Sequence, residues 1–199
     1  MSAPIGAIVA GGGAVRFGGA PKGLQRVGGI RIIDRVAAAL SAVTSELIVV
    51  SNAADASQWI AGARVYGDVR PERGSLVGIH TALSCARGDV LVVAWDMPFV
   101  SAELLTLICD RRGTGMAVIP ESPSGQEPFC ALYTVECLPI IEAALVGGDL
   151  RLSRVLAQLP SVETIAMSEI EVIGDPATLL FNVNTPHDLA QAESIAAGN

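Results

Sequence analysis

Residues 8–22 read Ile-Val-Ala-Gly-Gly-Gly-Ala-Val-Arg-Phe-Gly-Gly-Ala-Pro-Lys. An apolar segment typical of a buried strand runs directly into a glycine-rich loop, which carries Arg16 and ends at Lys22. Glycine has no Cβ atom, so backbone N–H groups can approach a ligand closely, and consecutive N–H groups in such a loop form an anion-binding nest. Two positive charges at the same rim add to that nest. The stretch predicts a polyphosphate site, and nucleotide chemistry is the leading hypothesis.

The loop matches neither of two well-known phosphate motifs. A P-loop needs glycine directly before its lysine and Ser or Thr directly after it, whereas Lys22 lies between Pro21 and Gly23. A dinucleotide-binding fingerprint needs a third glycine at its sixth position, which here is Arg16. It also needs an acid at the end of the second strand, which here ends in Ser51-Asn52. The loop is therefore a third kind of phosphate-binding cradle.

The bulk composition bounds the class of protein. The chain suits a single domain over residues 1–199, and a hydrophobic content of 51% allows a large core. A net charge of −7 argues against bulk binding to nucleic acid or to an anionic membrane, but a small anionic ligand needs only a local positive pocket. The four cysteines form no C-x-x-C pair and are expected to be reduced, mostly buried thiols. With no basic leader and no apolar run of the ~20 residues that a transmembrane helix needs, we expect a soluble cytoplasmic protein.

Apolar segments and helical spacings alternate along the chain. The predicted strands are Ile5–Ala10, Glu46–Ser51, Arg64–Tyr66, Val90–Trp95 and Met116–Ile119. The predicted helices cover about 30–43, the stretch around 76–83, Ser101 to about Arg111, 135–146, 149–158 and a last helix opened by Thr185-Pro186-His187-Asp188. This alternation predicts a three-layer α/β/α fold around a Rossmann-like, mostly parallel sheet. The Gly- and Pro-rich segment 120–128 is interpreted as a functional loop.

Asp96 is the residue that predicts a metal ion. It follows the apolar strand Val90–Trp95, and ligands in such sheets sit outside the carboxyl ends of the strands. A carboxylate there is costly unless something pairs with it. Mg²⁺ is a natural partner, because it takes one or two carboxylates plus substrate phosphates. The alternative is a turn or N-cap aspartate ahead of the helix at Ser101.

Other polar residues have both a functional and an ordinary interpretation. Arg16 and Lys22 could bind phosphate or be solvated loop charges. Asp68 follows the third strand and could be a turn residue, while the small residues of Gly74–Gly78 would let a base or ribose lie against the backbone. The amides of 182 and 184 are two apart, on the same side of a predicted strand end, where they could orient a phosphate or form a helix-entry turn.

Taken together, these segments resemble the MobA-like nucleotidyltransferases, and within them the guanylyltransferases of the molybdenum cofactor. The family signature L-A-G-G-x-x-x-R-x-G-x-x-K is matched by Val9-Ala10-Gly11-Gly12, Arg16, Gly18 and Lys22, and D-x-P by Asp96-Met97-Pro98. Three further segments match in chain order: Gly74–Ile79, Glu127–Tyr133 and Asn182–Leu189. The matches extend from residue 8 to residue 189 and so cover nearly the whole chain.

The resemblance implies a nucleotidyltransferase that uses Mg²⁺, in which the terminal phosphate of molybdopterin attacks the α-phosphorus of GTP and pyrophosphate leaves. By position it implies that Val9, Ala10, Gly11, Gly12, Asn52, Asp68 and Gly78 hold the nucleotide, that Arg16 and Lys22 bind the triphosphate, and that Asp96 binds the metal. It places Asn182, Asn184, Arg151 and the loop Glu121–Pro128 on the pterin side. Arg16, Lys22 and Asp96 are the expected catalytic residues. Expected partners are GTP, molybdopterin and, transiently, molybdoenzyme maturation proteins, and the expected state is a monomer or weak homo-oligomer.

Three departures from the family pattern leave rival hypotheses open. Val9 replaces the usual Leu, Ser75 the commoner Pro, and Trp95 stands before Asp96 where a small residue or cysteine is usual. One rival keeps the chemistry with CTP or another phosphorylated acceptor, although Gly11-Gly12 favours the guanylyl branch. The other is a nucleotide-binding partner protein without turnover, which would not need a metal carboxylate.

Overall fold

The computed structural model of the chain describes residues 3–11, 21–72 and 74–198. The predicted site residues Gly12 and Arg16 lie outside these residues. Within them, strands β1–β10 are Ile5–Val9, Arg26–Val27, Ile30–Arg31, Leu47–Val50, Arg64–Tyr66, Val90–Ala94, Ala117–Ser122, Gly125–Gln126, Cys130–Tyr133 and Val162–Ile165. Helices α1–α8 are Ile32–Ser41, Ser75–Ala86, Ala102–Asp110, Cys137–Val146, Leu152–Leu156, Met167–Ile170, Pro176–Leu179 and Pro186–Gly198.

The main sheet has the strand order β10-β7-β9-β6-β1-β4-β5, with β8 paired to β7. Strand β1 pairs in parallel with β4 and β6, β4 with β5, and β7 with β10. Strand β9 runs antiparallel to both β6 and β7. The carboxyl ends of β4, β5, β1 and β6 therefore meet at one edge of the sheet, where the amino end of β9 joins them.

Helices cover both faces of this sheet. Because successive strand residues point to opposite faces, Ile8 belongs to one apolar cluster and Val9 to the other. The first cluster includes the buried faces of α1 and α3, and the second those of α2, α4 and α5. All five residues of β6 are buried, as expected for a strand covered on both sides.

The predicted three-layer, mostly parallel α/β/α sheet is confirmed. The segment 120–128 was wrongly interpreted as a loop throughout, because β7 continues to Ser122 and pairs with β8 in a hairpin. Strands β9 and β10 are not among the strands predicted from the sequence. Strand β9 is buried along its whole length, so it has no alternating pattern, and the hairpin before it reverses the chain direction.

Two predicted helix starts are confirmed. The Ser101 hydroxyl accepts a hydrogen bond from the Leu104 N–H at 3.2 Å and caps α3. Thr185 and Asp188 form a reciprocal box at the start of α8, with the Thr185 N–H on Asp188 Oδ2 at 2.8 Å and the Asp188 N–H on Thr185 Oγ1 at 3.2 Å. No helix in the described part of the chain is long and apolar enough to cross a membrane.

Candidate active site

A cavity of about 790 Å³ opens at the carboxyl edge of the sheet. Its described lining includes a residue that follows each of β1, β4, β5 and β6, together with the start of α2 and the segment before β9. The predicted site residues among them are Val9, Ala10, Gly11, Lys22, Asn52, Asp68, Gly78, Asp96, Asn182 and Asn184. The fold thus gathers at one cavity residues that are spread over most of the sequence.

Lys22 and Asp96 are in direct contact on the cavity wall. Lys22 Nζ lies 2.5 Å from Asp96 Oδ2 and donates a second hydrogen bond to Asn184 Oδ1 at 2.9 Å. Asp96 is only 6% exposed. A carboxylate this buried needs a cation, and the ammonium group supplies one. Asp96 and Asn184 therefore meet at the Lys22 ammonium group, although they are 74 and 162 positions away from it in the sequence.

The segment 182–184 is bonded to Asp96, which follows β6, and it is not the strand end that its sequence pattern predicts. The Val183 N–H donates to the Asp96 carbonyl at 2.9 Å, and the Asn184 N–H donates to Asp188 Oδ2 at 2.8 Å. One contact ties the segment to the metal-candidate residue, and the other ties it to the cap of α8. Asn184 is thereby held where its amide oxygen meets Lys22.

Asn52 and Asp68 pair at the β4–β5 side of the cavity. Asn52 Nδ2 donates to Asp68 Oδ2 at 2.6 Å, and the Asp68 N–H donates to Asn52 Oδ1 at 2.8 Å. Both side chains hold each other's orientation while remaining solvent-accessible. Within the described residues the pair uses one carboxylate oxygen of Asp68 and one amide hydrogen of Asn52, so the second oxygen and the second hydrogen suit recognition of a polar nucleoside.

Glu127 lines the cavity, although no individual role is predicted for it from the sequence. It lies just before β9, on the opposite side of Asp96 from Asn52 and Asp68 in the order of the strands. The Ser122 hydroxyl donates to Glu127 Oε1 at 2.7 Å. Burial raises the pKa of the Glu127 carboxyl above 4.5, while hydrogen bonds from Ser122 and Asn182 oppose that rise. The signal available in the sequence was an acid directly before a proline in the Gly-rich segment.

Arg151 is the remaining predicted site residue that the structure describes. Arg151 is exposed at the start of α5, where its N–H donates to Asp149 Oδ1 at 3.1 Å. It is not part of the described cavity lining, so the structure does not bring it to the other predicted residues. Gly12 and Arg16 lie outside the described residues.

The described lining of the cavity carries more negative than positive side chains, so a bound polyphosphate would need an additional cation. Lys22 is the basic side chain of this lining, against three carboxylates, Asp68, Asp96 and Glu127. The described residues hold no cluster of three His, Cys, Asp or Glu side chains that could bind a metal ion unaided. A hard divalent cation that takes one carboxylate and completes its shell with phosphate oxygens and water fits this donor set.

Comparison with known proteins agrees with this geometry. Residues 6–163 match the family model described as the MobA-like NTP transferase domain. The chain belongs to the MobA-like NTP transferase family. It is therefore a nucleotidyltransferase, and divalent metals are generally used in this class of enzyme.

Relatives of this MobA-like chain match along its whole length. It is 35% identical to a molybdenum cofactor guanylyltransferase of Desulfosudis oleivorans, covering 100% of this chain and 98% of that protein. It is 34% identical to a probable molybdenum cofactor guanylyltransferase of Pelotomaculum thermopropionicum, covering 98% and 95%. The crystal structure of molybdopterin-guanine dinucleotide biosynthesis protein A from Archaeoglobus fulgidus superposes with a TM-score of 0.83 at 26% identity, covering 98% of this chain and 100% of that one.

Alanine substitutions at two glycines of the MobA-like site, Gly78 and Gly11, are expected to have different effects, one on packing and the other on ligand binding. A Cβ at Gly78, on α2, would lie 2.7 Å from Val9 Cγ1, whereas a Cβ at Gly11 meets no described atom within 4 Å. We expect Gly78→Ala to cost about 1–3 kcal/mol through overpacking, a fall in Tm of several degrees. We expect Gly11→Ala to keep the parent Tm but to weaken nucleotide binding, because its methyl group enters the cavity. Thermal unfolding and nucleotide titration of both variants check this, and the reverse pattern would contradict it.

The raised pKa of Glu127 predicts a stability change that depends on pH. The folded state holds the proton more tightly than the unfolded state, so stability falls as pH rises from 4.5 through the folded pKa. Glu127→Gln keeps an acceptor for Ser122 and removes this penalty. We expect its Tm to rise at about pH 7, where Glu127 is ionised in the unfolded chain, with the gain shrinking towards pH 4.5. Thermal unfolding at both pH values measures it, with Glu121→Gln as the control; an equal gain at both would contradict the assignment.

Proposed function

We propose that this chain is a molybdenum cofactor guanylyltransferase, which transfers GMP from GTP to the terminal phosphate of molybdopterin. The observation that carries the proposal is the contact of Lys22 with Asp96. This contact lies in the cavity between the Asn52–Asp68 pair on one side and Glu127 on the other. The names of its full-length relatives support the choice of base and acceptor.

The order of the strands supports an orientation for the two substrates. Asn52 and Asp68 follow β4 and β5, Asp96 follows β6, and Glu127 precedes β9 on the far side of β6. With the guanosine at Asn52 and Asp68, the triphosphate reaches Lys22 and Asp96 near the centre of the edge. The acceptor then enters from the β9 side, close to Asn182 and Asn184.

The reaction asks the protein for alignment and charge neutralisation. An oxygen of the molybdopterin phosphate forms a bond to the α-phosphorus of GTP, and the bond to the bridging oxygen of the β-phosphate breaks. The electron pair leaves with pyrophosphate, whose growing charge Lys22 neutralises. A phosphate nucleophile is already ionised near neutral pH, so no side chain has to remove a proton.

Asp96 would hold Mg²⁺ in this proposal, and bound Mg²⁺ would polarise the phosphoryl oxygens and screen their charge. The backbone of Asp96 is positioned by the preceding strand β6 and by the Val183 N–H, which donates to its main-chain carbonyl, and its carboxylate is bonded by Lys22. When nucleotide arrives, Lys22 Nζ can exchange its bond to Asp96 for a phosphate oxygen, while Asn184 continues to orient it.

The test measures pyrophosphate from the purified protein with Mg²⁺, molybdopterin and GTP, CTP, ATP or UTP in turn. Release with GTP alone is expected. Release with CTP alone would move the protein to the cytidylyl branch, and binding of GTP without release would favour the partner-protein hypothesis. Omission of molybdopterin is the control for simple hydrolysis.

A further inference from the structure

The adjacent residues Lys22 and Gly23 contact another adjacent pair, Asp96 and Trp95. Lys22 is held through its side chain by Asp96, and Gly23 packs with its backbone on the indole ring of Trp95. A Cβ at Gly23 would lie 2.6 Å from Cε3 and 2.7 Å from Cδ2 of that ring. The ring and the carboxylate thus fasten the same short 3₁₀ turn, Lys22–Leu24, at two adjacent points.

The ring that supports Gly23 is itself supported from behind. Trp95 stacks on Trp59, with ring centroids 5.2 Å apart and ring planes at 24°. Trp59 is fixed by its Nε1–H, which donates to Asp55 Oδ2 at 3.1 Å, and by its carbonyl, which accepts from Arg31 Nη2 at 2.9 Å. Both indoles are at most 5% exposed. The Trp95 ring therefore has little room to move away if residue 23 carries a larger side chain than glycine.

Packing holds Trp95 in this place. Its buried Nε1 finds no acceptor among the described residues, so within them the ring is positioned by packing and not by a hydrogen bond. Gly23 has an ordinary, negative-φ type of backbone rather than a left-handed one, so glycine is needed there for space and not for conformation. A Cβ at residue 23 would also lie 2.8 Å from the main-chain carbonyl oxygen of Trp95. Gly23→Ala therefore tests the packing of the turn on the whole of residue 95, and Trp95→Phe tests the part that the indole contributes.

We propose that Trp95 is a positioning residue, which acts through Gly23 to set where Lys22 presents its ammonium group to a polyphosphate. The inference rests on the proposed function only in assigning the triphosphate to Lys22. This role explains why a large aromatic side chain precedes Asp96. Trp95 packs on the backbone of the turn, and Asp96 binds the Lys22 side chain.

The test compares Gly23→Ala and Trp95→Phe with the parent by calorimetric titration of two probes, GTP with Mg²⁺ and inorganic tripolyphosphate with Mg²⁺. Misplacing a phosphate ligand by a fraction of an ångström to an ångström weakens its contribution strongly, and we expect losses of about tenfold or more. The loss is expected to be similar for both probes, because it arises at the phosphates and not at the base.

A third variant separates positioning from general damage. In a Lys22→Gln background, whose nucleoside contacts are intact, neither substitution should weaken GTP binding further, since the group that they displace is gone. Gly88→Ala, where an added Cβ meets no described atom, controls for the methyl group itself. Unfolding temperatures identify any variant that does not fold. If Gly23→Ala does not fold, Trp95→Phe alone is compared in the parent and in the Lys22→Gln background.

Equal losses in the parent and in the Lys22→Gln background would overturn the proposal, as would unchanged affinity in folded Gly23→Ala and Trp95→Phe. Failure of the proposed function gives a different result. Tripolyphosphate contains neither base nor acceptor, so its binding would still depend on Trp95 even if GTP or molybdopterin were not the substrates.

Discussion

Asp96→Asn is expected to reduce nucleotidyl transfer by at least about 10²–10³-fold, the scale seen when one group that stabilises transition-state charge is removed. The substitution keeps the shape of the side chain but removes the charge that would hold the metal ion. It also leaves Lys22 without its anionic partner. Pyrophosphate release with GTP and molybdopterin measures the loss.

The fold should survive this substitution, because the contact that ties Val183 to position 96 uses the backbone carbonyl and not the side chain. The control is Asp110→Asn, which removes an equal charge from an exposed position at the end of α3. Turnover near the parent rate in folded Asp96→Asn would remove Asp96 from the mechanism.

Lys22→Ala is the second substitution with a large expected effect. It removes the basic group of the described lining, so both the affinity for GTP and the rate of transfer should fall, with a combined loss in kcat/KM of about 10²-fold or more. Steady-state kinetics with varied GTP measure both parameters.

The loss should also depend on salt, because part of what Lys22 supplies is attraction for a multiply charged ligand. Arg26→Ala, which removes an exposed positive charge from β2, is the matched control and should change neither kcat nor KM. Parent-like kcat/KM in folded Lys22→Ala would exclude the phosphate role.

The sequence predicted those parts of the fold that have a local signal. Apolar strands followed by helices indicated the parallel core, and Ser101 and Thr185 predicted the starts of α3 and α8 through their capping side chains. Asp96 was found because a carboxylate at the end of a buried strand requires a partner. Each of these signals lies within a few residues of the element that it predicts.

The parts that were missed depend on contacts between distant residues. Strand β9 is antiparallel because of the hairpin before it, and its burial hides any alternation. Neither the stack of Trp59 on Trp95 nor the contact of Trp95 with Gly23 has a local pattern, since Trp59 and Trp95 are 36 positions apart in the sequence. Arg151 was placed at the site by resemblance alone, and the structure places it on the exposed start of α5.

The path of the α-phosphate of GTP distinguishes nucleotidyl transfer from other reactions of the nucleotide. The protein is incubated with Mg²⁺, molybdopterin and GTP labelled at either the α- or the γ-phosphate, and the products are separated. We expect the α-label to enter a guanine dinucleotide product that contains the pterin, and the γ-label to leave in pyrophosphate. Label from the γ-phosphate in the pterin product, or release of α-labelled GMP without transfer, would contradict it.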